Sequence, residues 1–281
     1  MPRKRSWTGR CASSRPAGRR VPSAVRRWSG PATSAPGRTA TTSTDSALLK
    51  HLRGAPLRII GRLPGSTNNA LLVAVGGGQD GVVAVYKPRA GERPLFDFPS
   101  GTLARREVAA FLVSEAGGWD VVPPTVLRDG PFGEGMVQQW IEIDPAADVV
   151  AMVVDDDPRL RPVALFDAAV NNTDRKGGHL LPTAAGGLFG VDHGVTFSEQ
   201  PKLRTVLWGW QGEPFEPTER EPLERLRDAL HGGVAPLPRA LATLLDRAEI
   251  AATRRRVAAL LRSGRFPRPR NDWPAVPWPP F

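Results

Sequence analysis

Apolar residues come first in short runs. PLRIIG (56–61), ALLVAV (70–75) and VVAVYK (82–87) each carry β-branched or aliphatic residues and end at glycine, proline or small polar residues. Such runs predict strands. GSTNN (65–69) and GGGQDG (76–81) are turns between them, and Pro88 ends the third. The period then changes. Over 102–116, Ala104, Val108, Phe111, Leu112 and Ala116 form a partial helical stripe, with Thr102 as N-cap and Gly117-Gly118 as the stop. PPTVL (123–127) and GMVQQWIEI (135–143) return to strand texture, so the first half follows a β-β-β-α-β-β order.

The second half is more helical. Residues 158–170 predict a helix starting at Pro158. HLLP (179–182) and GLFGVD (187–192) form two short strands around TAAG, and helices follow over 219–231, 236–246 and 247–263. DWPAVPWPPF at the end holds too much proline for a helix, and its two tryptophans suggest packing back on the body. Ordered structure is expected from about Ser46, and no internal repeat is present. The pattern defines an α+β chain: a tail over 1–45, a β-rich lobe over 46–142 and a mainly helical lobe over 143–281.

Composition changes this picture in two places. The formal charge is +10, but ten of the 38 basic residues lie in residues 1–40, where no acid occurs; the remaining 28 face 28 acids. The body is neutral, so a basic face for specific nucleic-acid binding is not expected. The tail, rich in Arg, Pro and Ser, is expected to be disordered. Cys11 is the only cysteine, which excludes a disulfide framework and suits a reducing cytoplasm. No apolar run reaches the ~18 residues of a membrane span.

Chemistry concentrates in NNTDRKGGHLL (171–181) and GVDHGVTF (190–197). Asp174 and Asp192 flank a predicted strand-turn-strand that returns its end near its beginning. Converging carboxylates hold a divalent metal and orient a hydroxyl, the layout of phosphoryl transfer. Lys87 at the end of a strand supplies a cation for phosphates, and Glu107 on the next helix an acid to hold it. Ser66, Thr67 and Asn68 offer a turn over phosphates, and Gln139 and Trp140 offer backbone to adenine.

Each of these has a plainer reading. Asp174-Arg175 could be a surface ion pair, Lys87 an edge-strand gatekeeper and Glu107 a solvated acid. Yet Lys87 is the only lysine strictly between residues 50 and 176, in a chain with 33 Arg and 5 Lys. Glu107 has no basic residue three or four positions away on its own helix. WGW (208–210) suits core packing. Asp174, His179, Asp192 and His193 also permit a metal-dependent hydrolase, although adjacent Asp192 and His193 point apart on a strand.

In this order, VYKP (85–88), REVAAFLVSE (106–115), VPPT (122–125), NNTDRKGGHLL and GVDHGVTF resemble a family of actinobacterial proteins distantly similar to the phosphatidylinositol 3-/4-kinase catalytic domain, in its type II-like branch. The resemblance covers about residues 50–281. It implies a two-lobed protein kinase-like fold, ATP with Mg²⁺ or Mn²⁺, and transfer to a hydroxyl of a protein, small molecule or lipid. It implies that Lys87 binds phosphate, Glu107 holds Lys87, Asp174 and Arg175 form the catalytic loop, and Asp192 carries metal. The family pattern has Asn five positions after the catalytic Asp, a second metal ligand; here that residue is His179. Histidine there favours a softer ion, an unused second site, or a nucleotide-binding pseudokinase, and Asn171 and Asn172 are possible substitutes as ligands.

Overall fold

The computed structural model of the chain describes residues 42–64, 69–77, 81–231 and 236–281. Most of the tail, Cys11, and the turn residues Ser66, Thr67 and Asn68 lie outside the described residues. An N-terminal helix, α1 (Thr42–Gly54), precedes three antiparallel strands, β1 (Leu57–Arg62), β2 (Leu71–Val75) and β3 (Val82–Pro88). Helix α2 (Leu103–Gly117) follows, then β4 (Thr125–Gly130) and β5 (Gly133–Gln139). The five strands form one sheet in the order β1-β2-β3-β5-β4. The order β-β-β-α-β-β is the one that the hydrophobic pattern predicts.

Alternation sorts the faces of this sheet. Ala84 and Tyr86 on β3 join Val73, Val75, Val126, Val137 and Leu52 of α1 in one buried cluster. Val85, on the opposite face, packs with Met136 and the α2 residues Val108 and Phe111. Lys87 lies two positions after Val85 and pairs with Met136 across β5, so it shares the α2 face. Helix α1 begins at Thr42, inside the stretch assigned to the tail, because Leu52 seals the far face of the sheet.

The start of α2 also differs from expectation. Thr102 donates its hydroxyl to the Pro99 carbonyl (2.7 Å) and caps nothing. Glu92 caps instead, accepting from Leu103 N–H (3.2 Å) and Ala104 N–H (2.8 Å). A carboxylate also suits the positive end of the helix. At the other end Gly118 takes φ 69°, the left-handed conformation that stops the helix.

The helical part holds α3 (Val149–Val154), α4 (Arg161–Val170) after a 3-10 turn at Pro158–Leu160, the hairpin β6 (Leu180–Pro182) with β7 (Leu188–Gly190), and α5 (Pro217–His231), α6 (Pro236–Ala242) and α7 (Arg247–Ser263). Arg106 of α2 is buried. It donates to the Thr196 carbonyl (2.7 Å) and pairs with Glu249 on α7, tying the sheet's helix to the helical core.

The final segment does pack back, but mainly not through its tryptophans. Ala275 accepts from Thr205 N–H (3.0 Å) and Trp208 Nε1–H (2.8 Å), Pro280 accepts from Gly177 N–H (2.8 Å), and the Phe281 ring rests on Gly177. Trp278 is exposed; Trp273 lies near Lys202, 5.2 Å from ring centre to Nζ.

Candidate active site

The site forms where β3, α2, the loop after α4 and the loop after β7 meet. Lys87 Nζ donates to Glu107 Oε1 (2.7 Å) and to Asp192 Oδ1 (2.9 Å). The other Glu107 oxygen accepts from His193 N–H (2.8 Å). Glu107 therefore clamps the lysine and the loop bearing Asp192 together. Burial works against the charge on Lys87, but Asp192 and Glu107 outweigh it and raise its pKa. Lys87 in turn holds the Asp192 carboxyl well below the usual range, against its desolvation.

Asp192 adopts φ 62°, left-handed for a residue with a side chain. Its neighbour holds it there. The His193 ring is fully buried, edge-on to Phe166 at 5.5 Å, and its Nε2 accepts from Arg175 Nη2 (2.6 Å). Burial, then the Arg175 charge, push the His193 pKa well below the ordinary value. Nδ1 has no hydrogen-bond partner among the described residues. A ring committed in this way cannot share a metal with Asp192, so the four-residue hydrolase cluster is not assembled.

Arg175 is buried too, with no access to a phosphate. Its guanidinium meets Asp167 of α4 through Nε (2.8 Å) and Nη2 (2.9 Å) and donates to the Val191 carbonyl (2.8 Å). It braces the two loops from inside. Asn172 donates to Asp167 (2.9 Å) and accepts from Asp174 N–H (3.0 Å). Asn171, left-handed at φ 56°, closes α4 and uses its amide on Ser198, Gln200 and Lys202 backbone.

Asp174 faces two cations: Arg204 Nη2 at 3.2 Å and Lys176 Nζ at 3.3 Å, each side chain partly exposed. Arg204 is fixed by its Nε–H to the Thr173 carbonyl (2.7 Å). His179 accepts from Lys176 N–H at Nδ1 (3.4 Å), and its Nε2 lies 3.4 Å from Asp192 Oδ2. Burial lowers the His179 pKa against the pull of Asp192, so the ring is neutral near pH 7. Gln139 ends β5 and Trp140 follows it; their N–H groups donate to the Pro124 (2.9 Å) and Val83 (3.0 Å) carbonyls.

Lys87, Glu107, Asp192, His179, Lys176 and Asp174 thus form one connected set, and Arg175 lies behind it. Sequence reasoning did not assign Lys176, Arg204 or Asp167. Lys176 carried a signal as one of five lysines among 33 arginines. Arg204 carried none, thirty residues beyond Asp174.

No protein-family model matches the sequence. The fold is that of the protein kinases: the crystal structure of the Golgi casein kinase with Mn/ADP bound superposes with a TM-score of 0.53 at 15% identity, over 80% of this chain and 76% of that one. A Helicobacter pylori proinflammatory kinase, CtkA, matches at a TM-score of 0.39 and 11% identity, over 74% of this chain and 97% of that one. In sequence, protein Rv2133c of Mycobacterium tuberculosis is 40% identical over 265 residues, 82% of this chain and 94% of its own length. On that identity and coverage the chain, protein kinase-like in fold, belongs to the family of Rv2133c.

Proposed function

We propose that this chain is an ATP-dependent phosphotransferase acting on a hydroxyl. The observation that carries the reading is the Lys87 ammonium held between Glu107 (2.7 Å) and Asp192 (2.9 Å), where a strand, a helix and a loop converge. A cation fixed in this way grips phosphates, and a carboxylate beside it receives the cation that accompanies them. A kinase-like neighbour with Mn/ADP bound supports a nucleotide and a divalent ion as ligands.

Asp192 fits a hard divalent ion. Its side chain is about half exposed, and one carboxylate with phosphate oxygens and water is an ordinary Mg²⁺ or Mn²⁺ environment. Such a metal would neutralise charge on the transferring group. Asp174 orients the acceptor hydroxyl and takes its proton, and Lys176 and Arg204 set the charge beside it. Glu107 holds Lys87. The amides of Gln139 and Trp140 are engaged in the sheet, so adenine contact falls to their carbonyls or to the backbone of 141–143, which belongs to no regular element. Only the sequence strips support the phosphatidylinositol 3-/4-kinase branch; the acceptor is a hydroxyl of a protein, a small molecule or a lipid. Nucleotide binding without transfer has one observation in its favour, His179 at the second metal position.

Thermal unfolding of the full chain with ATP and Mg²⁺ or Mn²⁺ tests the reading. Ligand at ~100 times Kd adds about 2.7 kcal/mol, and Asp192→Asn should remove the metal-dependent share. An ATP shift of equal size with and without metal, in both proteins, would sink the assignment.

A further inference from the structure

His179 stands where a second metal ligand is expected. Whether it acts as one depends on which ring nitrogen is available. Lys176 N–H donates to Nδ1. An imidazole nitrogen that accepts carries no proton, so the proton of the neutral ring sits on Nε2. Nε2 is the nitrogen that faces Asp192 Oδ2 at 3.4 Å. The ring therefore turns its N–H side toward the carboxylate, 3.4 Å from Oδ2 and not hydrogen-bonded to it before a cation arrives. To ligate a cation through Nε2 it would have to move its proton to Nδ1, placing two N–H groups face to face at Lys176 and leaving a backbone donor without its acceptor.

The other residues that might complete a second site are engaged as well. Asn172 uses its oxygen on Asp174 N–H and its nitrogen on Asp167. Asn171 uses its oxygen on Lys202 N–H and its nitrogen on the Ser198 and Gln200 carbonyls. The His193 ring is bound to Arg175. Among the described residues no group of three or more His, Cys, Asp or Glu could hold a metal by itself. Asp192 is left as the half-exposed carboxylate at the cleft.

We propose that the site takes a single divalent cation, on Asp192 together with nucleotide phosphates, and that His179 is a positioning residue whose Nε2–H orients the far oxygen of that carboxylate. This rests on the nucleotide-binding reading above. The two oxygens of the carboxylate then have separate roles. Lys87 steadies Oδ1 before the cation arrives, and His179 steadies Oδ2 once it is bound. Outer-shell partners of this kind are worth ~10–100-fold in metal affinity.

The test is to titrate the full chain with Mn²⁺ and a non-hydrolysable ATP analogue, counting bound ions by electron paramagnetic resonance. Pulsed measurements on the same samples report whether an imidazole nitrogen is bonded to the manganese. One ion per chain, with no directly bonded nitrogen, is expected. His179→Leu should weaken Mn²⁺ about tenfold and leave metal-free nucleotide affinity unchanged. His179→Gln, which keeps a donor, should recover most of the loss; an effect on stability alone would not divide the two affinities in this way. Two ions per chain, a bonded imidazole nitrogen, or unchanged Mn²⁺ affinity in His179→Leu each overturn the proposal while leaving nucleotide binding standing. Failure of both Mn²⁺ and the nucleotide to bind the wild-type chain overturns the proposal together with the kinase reading.

Discussion

Replacing Asp167 by Ala should nearly unfold this protein, although Asp167 lies behind the residues assigned to the chemistry. The Asp167 and Arg175 side chains are both fully buried and joined by two hydrogen bonds, 2.8 and 2.9 Å. Removing the acid leaves a guanidinium in the core with only the Val191 and His179 carbonyls and the His193 ring nitrogen. Breaking a buried pair from one side costs about 3–5 kcal/mol. Against a total stability of about 5–15 kcal/mol, this removes a large share, or roughly 6–20 °C of melting temperature for a chain of this size. Arg175→Met should cost a similar amount, because it strands the carboxylate with Asn172 alone. The double variant Asp167→Ala/Arg175→Met removes both charges and should cost no more than either single change. Urea unfolding of the four proteins completes the cycle. If the double variant loses the sum of the singles to within ~0.5 kcal/mol, the two groups act independently and the brace assigned to Arg175 is wrong.

Two further outcomes follow from the site. His179 and His193 both have pKa values lowered by burial in the folded chain, whereas in the unfolded chain they titrate near 6.5. Below that pH the unfolded state takes up protons that the folded state refuses, so stability falls as pH drops from about 6.5 toward 5, by up to ~1.4 kcal/mol per unit for each histidine; urea midpoints across this range should show a shallower slope in His193→Gln, and an unchanged slope would contradict the burial assignment. At Gly177 a Cβ would overlap the Phe281 ring, so Gly177→Ala should release the final segment and speed amide exchange over 273–281; retained protection there would show that Phe281 does not anchor it.

The elements legible in the sequence are those in which each segment carries its own pattern. The strands around Lys87 alternate, and α2 has a stripe and a glycine stop, so the order that brings Lys87, Glu107 and Asp192 together could be read directly. Helix α1 was hidden because it is mostly polar: of its apolar residues, Leu52 is fully buried, and what it covers is a sheet formed later in the chain. Helix α3 was hidden for the opposite reason, since VVAMVV is apolar throughout and has no period; its signal was Asp148, whose side chain accepts from Ala151 N–H (3.0 Å). The cap on α2 was illegible because Glu92 reaches it from eleven residues before Leu103.

The Asp174-Arg175 dipeptide shows where adjacency misleads. An acid beside a base suggests a pair, on the surface or around a phosphate, yet the two residues do not meet. Successive residues leaving a helix end point different ways, and here one direction is the core and the other the cleft. Arg175 turns inward to Asp167, eight residues back on α4, and reaches the loop bearing Asp192 through His193 and Val191. Asp174 turns outward to Lys176 and to Arg204, thirty residues ahead. A base committed to a buried acid cannot neutralise its neighbour, and the cations that replace it, Lys176 and Arg204, are partly exposed. Under the proposed phosphotransfer role, Asp174 keeps a partly exposed environment that an arriving nucleotide would rearrange, with Lys176 moving from Asp174 to a phosphate. The buried pair and the partly exposed contacts differ in this way: Arg175 fixes where the loops bearing Asp174 and Asp192 lie, and Asp174 stays at the surface of the cleft between them.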